Sequence, residues 1–323
     1  MSDQERPVVA IARKLPGEVS IDGAEIRVAG NRALSRAELL AFVRGCSILV
    51  TWVSERVDRE AIDACGTSLR GVCNFAVGTD NIDLDACRSR RVIVTNTPGA
   101  VTEGTADMAW ALILGVARRI NIADRFTRSS EYPRVGPLGP DEFLGQDLTG
   151  KNLLIIGAGR IGYAVALRSL GWGMRVGYVA RSRHLDFEMA PLGASRMPLD
   201  EGLAWADVVS IHTPLSPQTR HLIHASNLAM MKRDAILVNT SRGPVVDEAA
   251  LAETLRSGRL WGAGLDVFER EPEVHPGLLG LDNCILTPHV GSASRWSRGM
   301  MTSMVCENAR AILAGLPPPN RVA

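Results

Sequence analysis

The chain has 323 residues, long for one compact unit and enough for about two domains that each bury a core. Lys and Arg number 36 against 35 Asp and Glu, so no broad attraction to nucleic acid or to an anionic membrane is expected and any anion site must be local. The polar start MSDQERP carries no signal peptide and the most apolar stretch, Met108 to Ala117, is too short to span a bilayer, so a soluble cytoplasmic protein is expected.

Short apolar runs alternate with helix-patterned segments along the whole chain, the βαβ rhythm of a parallel sheet covered on both faces, and the fold class is therefore α/β. Strands are predicted over 8–12, 47–51 and 91–95. The segment Thr102 to Ile120 follows, apolar nearly all round a helix that ends in Arg118 and Arg119, charges that suit a helix C-terminus. Such a helix needs burial on several sides, as a link between two domains or a subunit interface. Residues 129–150, rich in Pro and Gly, read as an extended surface crossing. Further strands are predicted over 152–156, 174–179, 207–212, 235–239, 261–267 and 283–287, with a helix-like Glu248 to Leu255 among them. The six cysteines show neither a CxxC pair nor the spacing of a zinc site or disulfide framework; they are expected as reduced, buried thiols, and no metal site is expected.

The sequence KNLLIIGAGRIGYAVALRSLGWG sets Gly157, Gly159 and Gly162 in GxGxxG spacing directly after an apolar strand and directly before a helix pattern. Gly157 permits the tight turn, Gly159 lets backbone approach a pyrophosphate, and Gly162 lets helix pack on strand; free N–H groups at the helix start attract the anion. A bare GxGxxG is a weak signal, but this context predicts a dinucleotide site. The next strand ends in VGYVARSRH, where an NAD-binding carboxylate would be expected. Ala180 stands there, followed by Arg181, Ser182 and Arg183, cationic donors suited to a 2'-phosphate. That favours NADP(H), with NAD(H) possible; the plainer reading is a solvated loop. Asp186 and Glu188 come too late to reach the ribose.

Ligands of open α/β sheets gather outside the carboxyl ends of strands. There the sequence places Thr213 and Pro214, then Thr240, Ser241 and Arg242, then Asp266 and Glu271, then His289. Reduction of a 2-oxo acid needs a cation to hold and polarise the carbonyl and carboxylate, an acid to protonate the oxygen, and a carboxylate that favours the charged form of that acid. Arg242, His289 and Glu271 fit those roles. Each alone is more often an ion pair, a structural histidine or a turn carboxylate; their combination with a dinucleotide loop on one sheet edge makes them candidates. His212, which lacks an obvious partner, ranks as structural.

The ordered series VGTDNIDLDAC, TNTPGAVTEGTAD, GAGRIG, VNTSRGPVVDEAAL, GAGLDVFEREP and LTPHVGSAS resembles the D-isomer-specific 2-hydroxyacid dehydrogenase family over nearly the whole chain, and most of all its glyoxylate and hydroxypyruvate reductase branch. The resemblance implies Arg242 as the substrate arginine, Glu271 as the partner of the acid and His289 as proton donor. It implies backbone N–H groups around Val77 and Gly78 for the substrate carboxylate, with Trp52 and Val53 beside them. It also implies Thr105, Arg160, Ile161, Thr213, Thr240, Asp266 and Gly291, with His289, along the cofactor. A Rossmann cofactor domain over 99–291 would be inserted into a discontinuous flavodoxin-like substrate domain of 1–98 and 292–323, and the chain would pair as a homodimer. Phosphoglycerate dehydrogenases of this family place an arginine early in the loop that here reads Thr51-Trp52-Val53-Ser54, so a substrate without phosphate is expected. Trp52 stands near the usual Leu of the glyoxylate branch, as a reshaped pocket wall or a core aromatic, and Tyr132 stands for a family tryptophan. The readings are a reductase of a small 2-oxo acid, a reductase of a bulkier one such as hydroxyphenylpyruvate, and a nucleotide-sensing module like the related corepressors.

Overall fold

The apolar runs become strands of two parallel sheets. The structure, a computed structural model, describes residues 6–323, and the chain divides into one unit of Met1–Val101 with Ala293–Ala323 and a second of Thr102–Ser292. The second unit therefore begins at residue 102 rather than 99, and the first resumes at 293 rather than 292.

The first unit carries β1 (Val8–Ile11), β2 (Glu25–Val28), β3 (Ile48–Thr51), β4 (Gly71–Asn74) and β5 (Ile93–Thr95), in the order β2-β1-β3-β4-β5. Every pairing is parallel. This is the flavodoxin-like order, with its reversal between β1 and β3. Strands buried on both faces read as continuous apolar runs, and β3 and β4 are buried at all four positions. Helix Arg295–Leu313 lies on this sheet so closely that a Cβ at Gly71 would sit 2.7 Å from the Ile312 side chain. That contact explains why β4 escapes the sequence pattern: its sequence, GVCN, gives up side-chain bulk to let the helix in. The β2 strand, EIRV, was missed for the opposite reason, being a half-exposed edge that needs little apolar character.

The second unit carries β6 (Asn152–Ile156), β7 (Arg175–Val179), β8 (Ser195–Arg196), β9 (Val208–Ile211), β10 (Ile236–Asn239), β11 (Gly262–Leu265) and β12 (Cys284–Leu286). Their order is β12-β11-β10-β9-β6-β7-β8, again parallel throughout, so the chain runs outward from β6 to one edge and then returns to build the other. The reversal between β6 and β9 opens the crevice in which such sheets bind ligands.

The long apolar helix spans Thr102–Ala117, shorter than predicted, and breaks where Arg119 takes a left-handed φ of 53°. Much of its apolar surface is buried inside the second unit, with Ala111 exposed and Met108 and Leu114 half-buried. Trp110 stacks on Trp172 with centroids 4.5 Å apart and donates its indole N–H to the Val165 carbonyl at 3.0 Å, while Leu112 and Val116 press on Gly264 and Gly262 of β11. A helix Ile120–Arg128 follows, and residues 129–150 are not the simple extended crossing expected, since helix Glu131–Val135 interrupts them. Pro133 is accommodated within the first turn of that helix, where its missing N–H costs nothing. All six cysteines are buried free thiols. Among the described residues no helix is long and apolar enough to cross a membrane, and no group of three or more His, Cys, Asp or Glu side chains is placed to hold a metal.

His212 retains some exposed surface, but its nitrogens turn inward, Nε2 to Ser210 Oγ at 2.8 Å and Nδ1 to Thr240 Oγ1 at 3.4 Å. Burial pushes the imidazole down to about 3, so the ring stays neutral and its role is structural. Between the unfolded value of about 6.5 and about 3 the unfolded chain binds the extra proton, so this contribution is whole above 6.5 and lost as pH falls. The expected outcome is that His212→Gln removes an acid sensitivity of up to about 1.4 kcal/mol per pH unit in that window. Urea midpoints of both proteins between pH 7 and pH 4 measure it, and parallel pH curves would refute it.

Candidate active site

Three observations make the loop after β6 a cradle for a dinucleotide. Gly157 adopts φ of +104°, and a Cβ there would lie 2.7 Å from the backbone carbonyl of His212. A Cβ at Gly162 would lie 2.3 Å from the Gly157 oxygen, so helix Arg160–Arg168 can seat on the strand only with glycine there. At Gly159 a Cβ would meet nothing within 4 Å, and no side chain caps the helix. Its first N–H groups and positive dipole end are thus directed at open space, which fits a pyrophosphate. Arg160 is exposed and Ile161 half-buried at this helix start, and Thr213 and Pro214 lie on the loop after β9, beside the glycine turn.

The end of β7 carries Ala180 in place of a carboxylate. The Tyr178 hydroxyl, behind it, donates to Glu188 Oε1 at 2.6 Å and accepts the His184 N–H at 3.0 Å. Arg183 Nε donates to Glu188 Oε2 at 2.9 Å, and this guanidinium, seconded by the tyrosine, holds the Glu188 carboxyl at about 2. Glu188 therefore folds back on the loop rather than reaching for a ribose. Arg196 donates to the carbonyls of Ala180 and Arg181 at 3.0 and 2.9 Å, and the side chains of Arg181 and Ser182 are exposed.

The reactive candidates cluster at the ends of β10, β11 and β12, three neighbouring strands. Asn239, last residue of β10, clasps the turn that follows: its Oδ1 accepts the N–H and hydroxyl of Ser241 at 3.0 and 2.8 Å, and its Nδ2 donates to the Arg242 carbonyl at 3.0 Å. Arg242 is half-buried, with Nη1 donating to the Ser241 carbonyl at 2.9 Å. The next residue is Gly243, where a Cβ would lie 1.9 Å from the carbonyl carbon of Phe268, so the Arg242 turn and the Glu271 turn are pressed together. Glu271 Oε1 accepts the Phe268 N–H at 3.1 Å, and its Oε2 lies 2.8 Å from His289 Nδ1. The carboxylate thus fixes which ring nitrogen carries a proton inward and turns Nε2 outward. His289 itself sits at φ of 54°, a left-handed conformation that costs of order 1 kcal/mol or more in a residue with a side chain. Its N–H donates to the Asp266 carbonyl at 2.8 Å. The buried Asp266 carboxylate accepts from Thr287 Oγ1 at 2.6 Å, the Val290 N–H at 2.9 Å and the Gly291 N–H at 2.7 Å. Thr105 is buried beside Gly291, and Thr240 beside His212.

In the first unit, Asn74 and Asn96 side chains take the carbonyls of Gly78 and Val77 at 2.6 and 2.8 Å. No backbone acceptor takes the N–H of either residue among the described residues, which leaves both as donors for an anion. Trp52 is half-buried between Phe75, with ring centroids 5.5 Å apart, and the Arg298 guanidinium, 4.3 Å above its ring; Val53 follows it, half-buried. Trp52, Phe75 and Arg298, with Arg13, Lys14, Leu15 and Pro16, line a cavity of about 280 Å³. Sequence reasoning passed over Asn239, Arg196 and the loop-building work of Asp266, because each acts on backbone groups that leave no mark in a motif, and it weighed Glu188 only against the ribose, not as the partner of Arg183 and Tyr178.

The fold and these sites define a nicotinamide-dependent α/β oxidoreductase. The family model described as "D-isomer specific 2-hydroxyacid dehydrogenase, NAD binding domain" matches residues 110–291. The chain belongs to the D-isomer-specific 2-hydroxyacid dehydrogenase family, in the glyoxylate reductase branch. It is 45% identical over 322 residues to the glyoxylate reductase of Thermococcus onnurineus, covering 98% of this chain and 96% of that one, and 42% identical over 322 residues to that of Pyrococcus furiosus, covering 98% and 95%. A solved protein of Thermus thermophilus superposes with a TM-score of 0.90 at 43% identity, covering 98% of this chain and all of that one. An NADPH-dependent glyoxylate/hydroxypyruvate reductase of Sinorhizobium meliloti, in complex with NADP and malonate, gives 0.84 at 31%, covering 99% and 97%. As a member of this family the protein is an NAD(P)-dependent 2-oxo acid reductase acting on the CH–OH group.

Because the space at Gly159 is open, Gly159→Val is expected to preserve the thermal midpoint while weakening cofactor binding at least ~10-fold. Fluorescence titration checks this, and unchanged affinity would exclude the loop as the pyrophosphate site. Glu271→Gln is expected to lower kcat by roughly 10- to 100-fold through a misoriented imidazole. Steady-state rates at saturating substrate measure it, and wild-type kcat would remove Glu271 from the mechanism.

Proposed function

We propose that the protein reduces a small 2-oxo acid without phosphate, of the glyoxylate or hydroxypyruvate type, with NADPH as preferred reductant. The contact between Glu271 and His289 at 2.8 Å, in a loop that turns Nε2 outward, carries this reading. The names of the relatives agree with it. Arg242 pairs with the substrate carboxylate and polarises the carbonyl, and the N–H groups of Val77 and Gly78 are further donors for a carboxylate. When bound, the reduced nicotinamide supplies the hydride. As the carbonyl carbon gains that hydride, the C=O π electrons move to oxygen and His289 Nε2 delivers a proton there, leaving a neutral imidazole partnered by Glu271. The product is the D-2-hydroxy acid wherever C2 becomes chiral. We place the enzyme in the cytoplasm, as a homodimer.

Preference for NADPH rests on Ala180 at the carboxylate position and on the exposed Arg181 and Ser182 beside Arg183. A second reading, a bulkier 2-oxo acid, is favoured by the cavity beside Trp52, whose roughly 280 Å³ leave room for a side chain. Initial rates with NADPH and NADH against glyoxylate, hydroxypyruvate, pyruvate and an aromatic 2-oxo acid separate the two. The highest kcat/KM on the aromatic acid would overturn the first.

Arg242→Ala is expected to raise KM and lower kcat together, with kcat/KM down by at least ~100-fold, because an anchor and a polarising charge leave at once. Unaltered values would remove Arg242 from the site. For Arg181→Ala the expectation is a KM for NADPH raised at least several-fold with NADH little changed. Equal losses with both cofactors would contradict a 2'-phosphate contact.

A further inference from the structure

Two residues before Glu271, the chain places a carboxylate that touches no reacting atom in the mechanism above. Glu269 reaches out of its turn to helix Glu248–Arg256, where its Oε1 accepts the Glu248 N–H at 3.0 Å. The Glu248 carboxylate answers, its Oε1 accepting the Glu269 N–H at 2.6 Å. The second Glu269 oxygen lies 3.0 Å from His221 Nε2. His221 is in turn fixed: its backbone is left-handed, at φ of 48°, and its N–H donates to the Pro244 carbonyl at 2.8 Å. One carboxylate therefore ties together the loop after β9, the turn after Arg242 and the turn that leads to Glu271.

The tie has an unusual cost. Glu248 is buried, and both burial and the neighbouring Glu269 charge push its carboxyl up, so two like charges are kept close where one neutral side chain would fill the space. Helix capping alone does not call for it, since Asp247 already caps that helix by accepting the Ala250 N–H at 3.0 Å. What the pair adds is a second point of attachment. The backbone of Gly243 already lies so near Phe268 that no side chain fits between the two turns, which sets where they meet, but a single contact lets the two turns pivot about it unless a second one pins them. The reciprocal hydrogen bonds pin them immediately beside Glu271, whose own second oxygen is committed to the Phe268 N–H.

We propose that Glu269, bridged to Glu248 and His221, is a positioning residue for the reduction, holding the Glu271–His289 pair at a fixed offset from Arg242. This rests on the reading of Arg242, Glu271 and His289 as the working groups. A displacement of about 1 Å between an acid and the cation that holds its substrate can cost on the order of 100-fold in rate. Loss of the bridge is therefore felt in turnover and in substrate KM, and not at the pyrophosphate loop.

The test compares Glu269→Ala, Glu269→Gln and His221→Ala in the full-length enzyme, with kcat and KM for glyoxylate and hydroxypyruvate, NADPH affinity by fluorescence titration, and thermal midpoints. Active sites are counted by NADPH-binding stoichiometry. For Glu269→Ala we expect kcat per active site down at least ~10-fold and substrate KM raised several-fold, with NADPH affinity within about 2-fold of the parent. Glu269→Gln keeps an oxygen for the Glu248 N–H and is expected to recover most of both. A merely structural residue would lower the thermal midpoint and the number of active sites and leave kcat per site and KM alone; that result overturns the proposal. Should Glu269→Ala fail to fold, His221→Ala removes one arm only, with KM expected to rise ~3-fold, and an unmoved KM there is equally fatal. If Arg242→Ala is also without effect, the failure lies in the assignment of the working groups; if Arg242→Ala is crippled and Glu269→Ala is not, it lies in the bridge.

Discussion

The working end of the second unit depends on the burial of one carboxylate. Asp266, directly after β11, has almost no exposure, an expensive place for a charge unless donors surround it. Three do: a threonine hydroxyl and two successive backbone N–H groups, all from residues 287–291. Charge-assisted hydrogen bonds of this kind are among the stronger ones available. Together they bend the chain after β12 back over β11, and the bend is what forces His289 into a left-handed backbone. Asp266 thus shapes the turn after β12 and, with the same two oxygens, fixes the backbone on which His289 stands.

The same economy recurs at each neighbouring strand. Asn239 at the end of β10 spends its amide on the turn that presents Arg242, and Glu271 spends one oxygen on the backbone of its own turn and the other on the imidazole. In each case a polar side chain at a strand end satisfies backbone groups of the loop that follows, so loops without regular structure are held as firmly as strands. Rigid loops matter here because reduction requires a cation, a proton and a carbonyl to meet within a few tenths of an ångström. Close glycine contacts do the remaining work by letting adjacent turns touch backbone to backbone, as at Gly157 against His212 and Gly243 against Phe268.

Much of this was legible in the sequence, and the parts that were not share a cause. Nine strands read as apolar runs because parallel strands are buried on both faces. Those that did not are β2 and β8 at sheet edges, and β4, whose glycine admits Ile312. The all-round apolar helix read as a link between domains or a subunit interface; Trp172, Val165 and the glycines of β11 take up one part of its girdle, while Ala111 is exposed and Met108 and Leu114 are half-buried. Periodicity reports how much surface a helix must bury, and not which partner buries it. Arg242, Glu271 and His289 stood out because each follows a strand in a chain that also carries a glycine loop. Glu269 and Glu248 did not, because a carboxylate that serves a backbone N–H looks in sequence like any surface charge.

Cofactor choice brings the same physics to a handful of residues. In a chain whose charges nearly cancel, discrimination between a ribose hydroxyl and a ribose phosphate must come from a few ångströms of loop. The Ala180–Arg183 loop lacks the carboxylate that would repel a phosphate, and its shape is set from behind by Arg196 on two carbonyls. Arg183, exposed like Arg181, is paired at the surface with Glu188, itself steadied by Tyr178, so its charge is partly offset there. Arg181, exposed on the same loop, is therefore the cation whose field a 2'-phosphate would meet least diminished, while Arg183 keeps the loop in shape. Two arginines one residue apart thus differ in their surroundings, Arg183 paired with Glu188 and Arg181 not, a difference set by where Glu188 folds.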